Sequence, residues 1–165
     1  MTEFAFSTCD LCDAHKSDAS GSFRVLPPLF KDYGAHSRFA GPVSTVQCFE
    51  DNSRVREAVN SPGEGRVLVV DGGGSLRRSL LGGLLGAAAA KNGWAGVVVN
   101  GAVRDKAELA ACAVGIRALA LIPMPTDRRD QGLRDVPIQI DDQWVRPGDW
   151  LYADEDGIVV TDKAI

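Results

Sequence analysis

The chain has 165 residues, 45% of them hydrophobic and 24% charged, which suffices for one ordinary core and leaves no length for a second full domain. A formal net charge of -4 offers no basic surface to a nucleic-acid backbone or an anionic membrane, so direct nucleic-acid or membrane binding is not expected. The opening MTEFAFSTCDLCDAHKSDAS lacks the basic start and apolar run of a signal peptide, and no apolar stretch is long enough to span a bilayer. Four cysteines without an export signal point to free thiols and a cytoplasmic location.

In chain order, Ser7 and Thr8 open a short helix from Thr8 to His15, which places Cys9 and Cys12 three apart on one face. That CxxC has no second pair to complete a metal site, and His15 and His36 follow no ligand spacing. An irregular Pro-containing stretch leads to a strand from about Val43 to Phe49. Asp51, Asn52 and Ser53 then offer N-caps for a helix, DNSRVREAVN, stopped by Pro62-Gly63.

RVLVVDGGGS reads as a buried strand feeding a glycine loop, LGGLLGAAAAKNG as a helix capped by Gly93, and WAGVVVNG as a second buried strand. Together they make a βαβ unit with parallel strands. GIRALAL, VPIQI, WVRPGDWLYADEDG and IVV add short strands separated by Asp, Gly and Pro turns. The expectation is a single α/β domain over residues 1–165, in which a parallel core is followed by a more antiparallel end.

The glycine loop is not a dinucleotide fingerprint, because Arg77 stands where the third glycine belongs and the next strand ends at Asn100-Gly101 without an acidic residue. Gly82-Gly83 is more informative. Two adjacent glycines suit a helix start better than a helix interior, since each costs about 1 kcal/mol there against alanine. Such a start could leave N–H groups open to a small anion, or could serve close packing of helix on strand. Arg104 and Asp105 follow at the carboxyl end of the next strand, the edge where ligands gather in α/β sheets. Arg104 has the planar fork that matches a carboxylate, and Asp105 is a hard oxygen ligand for Mg²⁺ or Mn²⁺. Spacing alone equally allows a surface ion pair, with Asp105 capping the helix DKAELAAC.

TCDLCDA, FAGPVSTVQCFEDNSRV, VLVVDGGGSLRRSLLG, KNGWAGVVVNGAVRD, GIRALA and RPGDWLYADEDGIVV, in that order from Thr8 to Val160, resemble the RraA-like family. That family holds metal-dependent 4-hydroxy-4-methyl-2-oxoglutarate aldolases and protein regulators of ribonuclease E. The resemblance implies a swivelling β/β/α domain, a mixed sheet around the central βαβ unit, and a homotrimer. It implies a class II lyase that cleaves 4-hydroxy-4-methyl-2-oxoglutarate to pyruvate and secondarily decarboxylates oxaloacetate. The alternative is a non-catalytic homotrimeric inhibitor of ribonuclease E. By position, Asp105 would hold the divalent cation, Mg²⁺ or Mn²⁺. Arg104 would grip the 2-oxo acid, and the N–H groups of Gly82, Gly83, Leu84 and Leu85 would receive its carboxylate.

Two departures follow. Aldolases of the family carry an aspartate where this chain has Gly83, so a carboxylate is missing and Gly83→Asp is expected to raise turnover. The Asp154-Glu155-Asp156 cluster of an adjacent subunit could compensate, although it reads more simply as a solvated turn. In LIPMPTDRRDQG, relatives often carry lysine and serine after the proline, so a basic contact is expected to be lost.

Overall fold

The computed structural model describes residues 5–165. In chain order its elements are α1 (Thr8–His15), β1 (Phe23–Val25), β2 (Lys31–Asp32), β3 (Phe39–Gln47), α2 (Ser53–Val59), β4 (Val67–Asp71), β5 (Ser79–Leu81) and α3 (Gly83–Lys91). There follow β6 (Gly96–Val103), α4 (Lys106–Ala110), β7 (Gly115–Leu121), β8 (Leu133–Arg134), β9 (Ile138–Ile140), β10 (Gln143–Val145), β11 (Trp150–Asp154) and β12 (Gly157–Thr161).

β3, β4, β6 and β7 pair in parallel, and their Val- and Ile-rich runs are buried because both faces are covered. One face carries α2, α3 and α4 over Val46, Leu68, Val70, Val97, Val99 and Ile116. The other packs Val43, Val67, Val69 and Val98 against Ile138, Ile140, Leu151 and Val160. The sheet turns antiparallel through β3, whose first half pairs with β11 and second half with β4. Pro42 sits at this changeover, where a missing N–H does least damage to a ladder. β12 and β1 continue the antiparallel side. This is the mixed sheet with a parallel core and antiparallel end that the sequence leads one to expect.

The glycine loop serves packing. Gly73 and Gly74 hold φ of +67° and +72°, and a Cβ on Gly72 would lie 2.5 Å from Leu80 Cδ1 and 2.8 Å from the Asn100 carbonyl oxygen. The chain therefore doubles back tightly enough for β5 to pair with the far half of β6, Ser79 beside Ala102 and Leu81 beside Val103. Elsewhere, the Phe39 ring lies between β6 and β7 where a Cβ on Gly96 or Gly115 would be 2.4 or 2.0 Å away. The Arg117 guanidinium covers that ring at 5.5 Å.

Several boundaries differ from expectation. β3 begins at Phe39 because its first residues pair with β11, and it ends at Gln47, after which Cys48 N–H makes one last bond to the Asp71 carbonyl of β4. β1, β2, β5 and β8 have two or three residues each, too few to show a periodicity. Glu155 and Asp156 form an exposed turn, but Asp154 ends β11 and is buried, not solvated. It accepts hydrogen bonds from Thr8 N (2.7 Å), Thr8 Oγ1 (2.6 Å) and Asp156 N (3.0 Å), which anchors α1 on the sheet. Among the described residues no helix is long and apolar enough to cross a membrane.

Candidate functional site

The carboxyl ends of β5 and β6 and the amino end of α3 meet at a cleft of about 340 Å³. Its lining includes all six residues singled out in the sequence: Gly82, Gly83, Leu84, Leu85, Arg104 and Asp105. Their convergence follows from the pairing of β5 with β6, which sets Arg104 N–H on the Leu81 carbonyl at 3.0 Å. α3 starts at Gly83 as its glycine pair suggests, and Gly93 follows its end with φ +82°.

Asp105 occupies the left-handed region, φ 65° and ψ 52°, where a non-glycine residue is strained by roughly 1–2 kcal/mol. It precedes α4, but its side chain makes no capping bond to that helix. Oδ2 instead accepts from Gly83 N at 2.9 Å, so the backbone turn carries the carboxylate back over the start of α3. The capping role open to Asp105 in the sequence is therefore not the one it plays. Nor does Arg104 form an ion pair with it. The Arg104 side chain runs along Gly82, with Cγ and Nε 3.4 Å from where a Cβ would be, and donates to the Pro123 carbonyl at 3.3 Å. A Cβ on Gly82 would also stand 2.7 Å from Asp105 Oδ2.

Gly83 is the point at which sequence reasoning missed a residue. A Cβ there would lie 1.8 Å from Glu108 Oε2 and 2.8 Å from Glu108 Cβ and Cδ. The space above Gly83 is filled by a carboxylate supplied from α4, one helical turn beyond Asp105. The signal was present in DKAE, since an acidic residue three places after Asp105 projects to the same side of a helix. The expected gain from Gly83→Asp is corrected by the same distances, because the new side chain would collide with Glu108.

The first hydrogen bond inside α3 runs from Gly86 N to the Gly82 carbonyl at 2.9 Å. Leu84 and Leu85 N–H precede it and have no carbonyl four residues back within the helix, so they can receive an anion at the positive end of the helix dipole. Leu84 is 86% exposed, which keeps this end accessible.

A second set of polar groups lines the same cleft. Asn52 is 7% exposed, and its Oδ1 accepts from Thr126 Oγ1 at 2.8 Å and Arg128 Nε at 3.1 Å, while its Nδ2 donates to the Leu80 carbonyl at 3.2 Å. Arg56 and Asn60 of the α2 region line the same space. Arg128, from LIPMPTDRRDQG, brings a guanidinium to this lining. Asp51, beside Asn52, fixes the following loop by accepting from Arg129 N at 2.6 Å and from Ser53 N and Oγ at 2.8 and 2.6 Å.

Asp105 and Glu108 place two hard carboxylates on the Gly82–Gly83 pair. That donor set fits Mg²⁺ or Mn²⁺, which commonly takes one or two carboxylates and keeps several waters. Among the described residues no group of three or more His, Cys, Asp and Glu forms a protein cage for a metal. Cys9 is exposed, Cys12 half-buried, and both are free thiols on α1.

A family model described as RraA-like, Aldolase/RraA, matches residues 8–160. A protein of Albidiferax ferrireducens named "Putative 4-hydroxy-4-methyl-2-oxoglutarate aldolase" is 65% identical over 164 residues, covering 94% of this chain and 95% of its own. The RNA-processing inhibitor RraA from Thermus thermophilis superposes with a TM-score of 0.92 at 44% identity, covering 98% of this chain and 96% of its own. A Geobacillus kaustophilus structure described as S-adenosylmethionine: 2-dimethylmenaquinone methyltransferase gives 0.90 at 40% identity, with 97% of each chain covered. In sequence along its length and in fold, the chain belongs to the RraA-like family.

Proposed function

We propose that the protein is a divalent-metal-dependent lyase that cleaves 4-hydroxy-4-methyl-2-oxoglutarate to two pyruvates and decarboxylates oxaloacetate, with Arg104 and Asp105 in its cleft and Glu108 beside them at Gly83. The observation that carries this reading is the convergence of the Asp105 and Glu108 carboxylates on the glycine pair at the start of α3. Asp105, with the Glu108 carboxylate beside it, would hold Mg²⁺ or Mn²⁺, and the bound ion would supply Lewis acidity at the 2-oxo group.

Leu84 and Leu85 N–H receive the C1 carboxylate, which orients the 2-oxo acid with its oxo group toward Arg104. The Arg104 guanidinium balances the charge that develops on the oxo oxygen as the C3–C4 bond breaks, whether the leaving fragment is pyruvate or CO₂. Glu108 takes the place of the aspartate that aldolases of the family carry at position 83. Through an ordered water it takes the C4 hydroxyl proton as the C3–C4 bond breaks and returns it to C3 of the pyruvate enolate; in decarboxylation, where the substrate has no such hydroxyl, that water supplies the C3 proton. Gly83 is accordingly the partner of Glu108 and not a lesion in the site. Three guanidinium groups, Arg56, Arg104 and Arg128, line the cleft, and this favours an anionic acid over a cationic sulfonium donor there. The assembly expected with this function is a homotrimer in the cytoplasm.

Pyruvate release from both substrates, followed with Mg²⁺, with Mn²⁺ and with chelator, tests the reading. Turnover above the uncatalysed background that chelator removes is the expected result, and absence of turnover with either metal contradicts it. A second reading, a homotrimer that binds ribonuclease E and lowers its activity, draws on the likeness to the Thermus RNA-processing inhibitor. Asp105→Ala separates the two, since it removes lyase activity and leaves a protein-binding surface intact.

A further inference from the structure

Two of the arginines that line the cleft have no part in the bond-breaking step above. Arg56, on α2, and Arg128, on the segment after β7, line it with Asn60. Neighbouring arginines are neutralised: Arg54 by Glu57 at 2.9 Å and Asp130 at 2.8 Å, and Arg134 by Glu57 at 3.2 Å. Arg56 and Arg128 form no ion pair within 4.0 Å among the described residues, although the chain as a whole is acidic.

Arg128 is also fixed in orientation. Its Nε donates to Oδ1 of Asn52, which is itself held by Thr126 and by the Leu80 carbonyl. With Nε engaged, the two terminal nitrogens keep the paired geometry that matches a carboxylate. Asn52 is buried although its amide could have been solvated, and its hydrogen bonds tie the start of α2 to β5 and to the Arg128 segment.

We propose that Arg56 and Arg128, the latter positioned by Asn52, form a subsite for the second carboxylate of a dicarboxylic 2-oxo acid. The site thereby selects dicarboxylates over monocarboxylates of equal length. The proposal rests on the lyase reading only in placing the first carboxylate at α3. Its own content is a binding preference that can be measured without turnover.

The test is the ratio of dissociation constants for 2-oxopentanoate and 2-oxoglutarate, measured by calorimetry on the full chain with Mg²⁺. The two ligands share chain length and 2-oxo acid head and differ in the distal carboxylate. Wild type is expected to prefer 2-oxoglutarate by roughly 10- to 100-fold, the range of a charge-assisted pair. Arg128→Gln and Arg56→Gln each cut that ratio several-fold or more and leave 2-oxopentanoate binding within about twofold. Arg128→Lys, which keeps the charge and loses the fork, gives an intermediate ratio. Asn52→Ala lowers the ratio as Arg128→Gln does, an effect that a purely structural role would spread equally over both ligands.

A wild-type ratio near one, an unchanged ratio in the arginine variants, or equal loss of both ligands overturns the proposal. So does inorganic phosphate binding that needs Arg128 in a protein showing no preference for 2-oxoglutarate, since the second anion would then not belong to the substrate. A wild type that releases no pyruvate yet keeps an Arg128-dependent ratio supports the subsite and sinks the lyase reading alone. An active wild type whose ratio ignores Arg128 does the reverse.

Discussion

Gly83→Asp introduces the carboxylate that the family resemblance leads one to expect at this position, and in this chain it is expected to lower turnover. The Cβ it adds falls 1.8 Å from Glu108 Oε2, which can swing aside, and 2.8 Å from Glu108 Cβ, which moves only with α4. Forced overpacking of this kind costs about 1–3 kcal/mol. Adding a like charge about 4 Å from another costs about 1 kcal/mol more even in a water-like dielectric. At about 2–4 °C per kcal/mol for a chain of this size, the melting temperature should fall by roughly 4–16 °C. Glu108→Ala alone should lower kcat by about 100-fold if Glu108 manages a proton. The double variant Gly83→Asp/Glu108→Ala removes the collision and keeps the number of carboxylates, so it should exceed both single variants in pyruvate release and recover most of the lost melting temperature. Steady-state kinetics and thermal unfolding of the four proteins form a double-mutant cycle that isolates the coupling. A single Gly83→Asp more active than wild type, or a double variant no better than the worse single, refutes the steric exchange of the two carboxylates.

Gly115→Ala sets a methyl carbon 2.0 Å from the Phe39 ring and should cost about 1–3 kcal/mol in urea unfolding, with Phe39→Leu in the same chain recovering part of it. Thr8→Val removes the 2.6 Å hydroxyl bond to buried Asp154 and should cost about 1–3 kcal/mol by the same measurement. Burial pushes the carboxyls of Asp154 and Asp51 up, but hydrogen bonds from Thr8 and Asp156 in the first case, and from Ser53, Arg129 and Gln131 in the second, outweigh it and hold both below the usual range. A lowered folded value means that stability is full above about pH 4, the unfolded value, and is lost as pH falls through the folded value. Asp51→Asn should flatten that acid limb in unfolding curves taken from pH 6 downward. Burial pushes the Cys48 thiol up to about 12, so it should resist thiol reagents at pH 8 in the native protein and react on unfolding.

The parts of the fold legible in the sequence are those where burial writes a long pattern. RVLVVD and WAGVVVNG hold the apolar runs VLVV and VVV, each followed by one polar residue and then glycine, and they became β4 and the core of β6. SLL did not read as a strand, because three residues after Arg77-Arg78 carry no period. β5 exists only because the glycine loop returns it to β6. Pro42 concealed the first half of β3, since nothing local shows that the strand changes partner there. For the site, Arg104 and Asp105 stood out by their place at a strand end and by family resemblance. Glu108 lay hidden in plain spacing, as its role depends on the left-handed turn at Asp105 and on the room left by Gly83. Asn52, Arg56 and Arg128 come from segments up to 76 residues apart and are joined only by tertiary structure.

The most direct test of the central claim is the Mg²⁺-dependent rate of pyruvate release from 4-hydroxy-4-methyl-2-oxoglutarate by Asp105→Ala and Glu108→Gln beside wild type. An active wild type with both variants reduced by about 100-fold or more, and folded by circular dichroism, is the result the account predicts. Wild-type rates in either variant would contradict it, because the chemistry would then lie away from the two carboxylates that meet at Gly82 and Gly83.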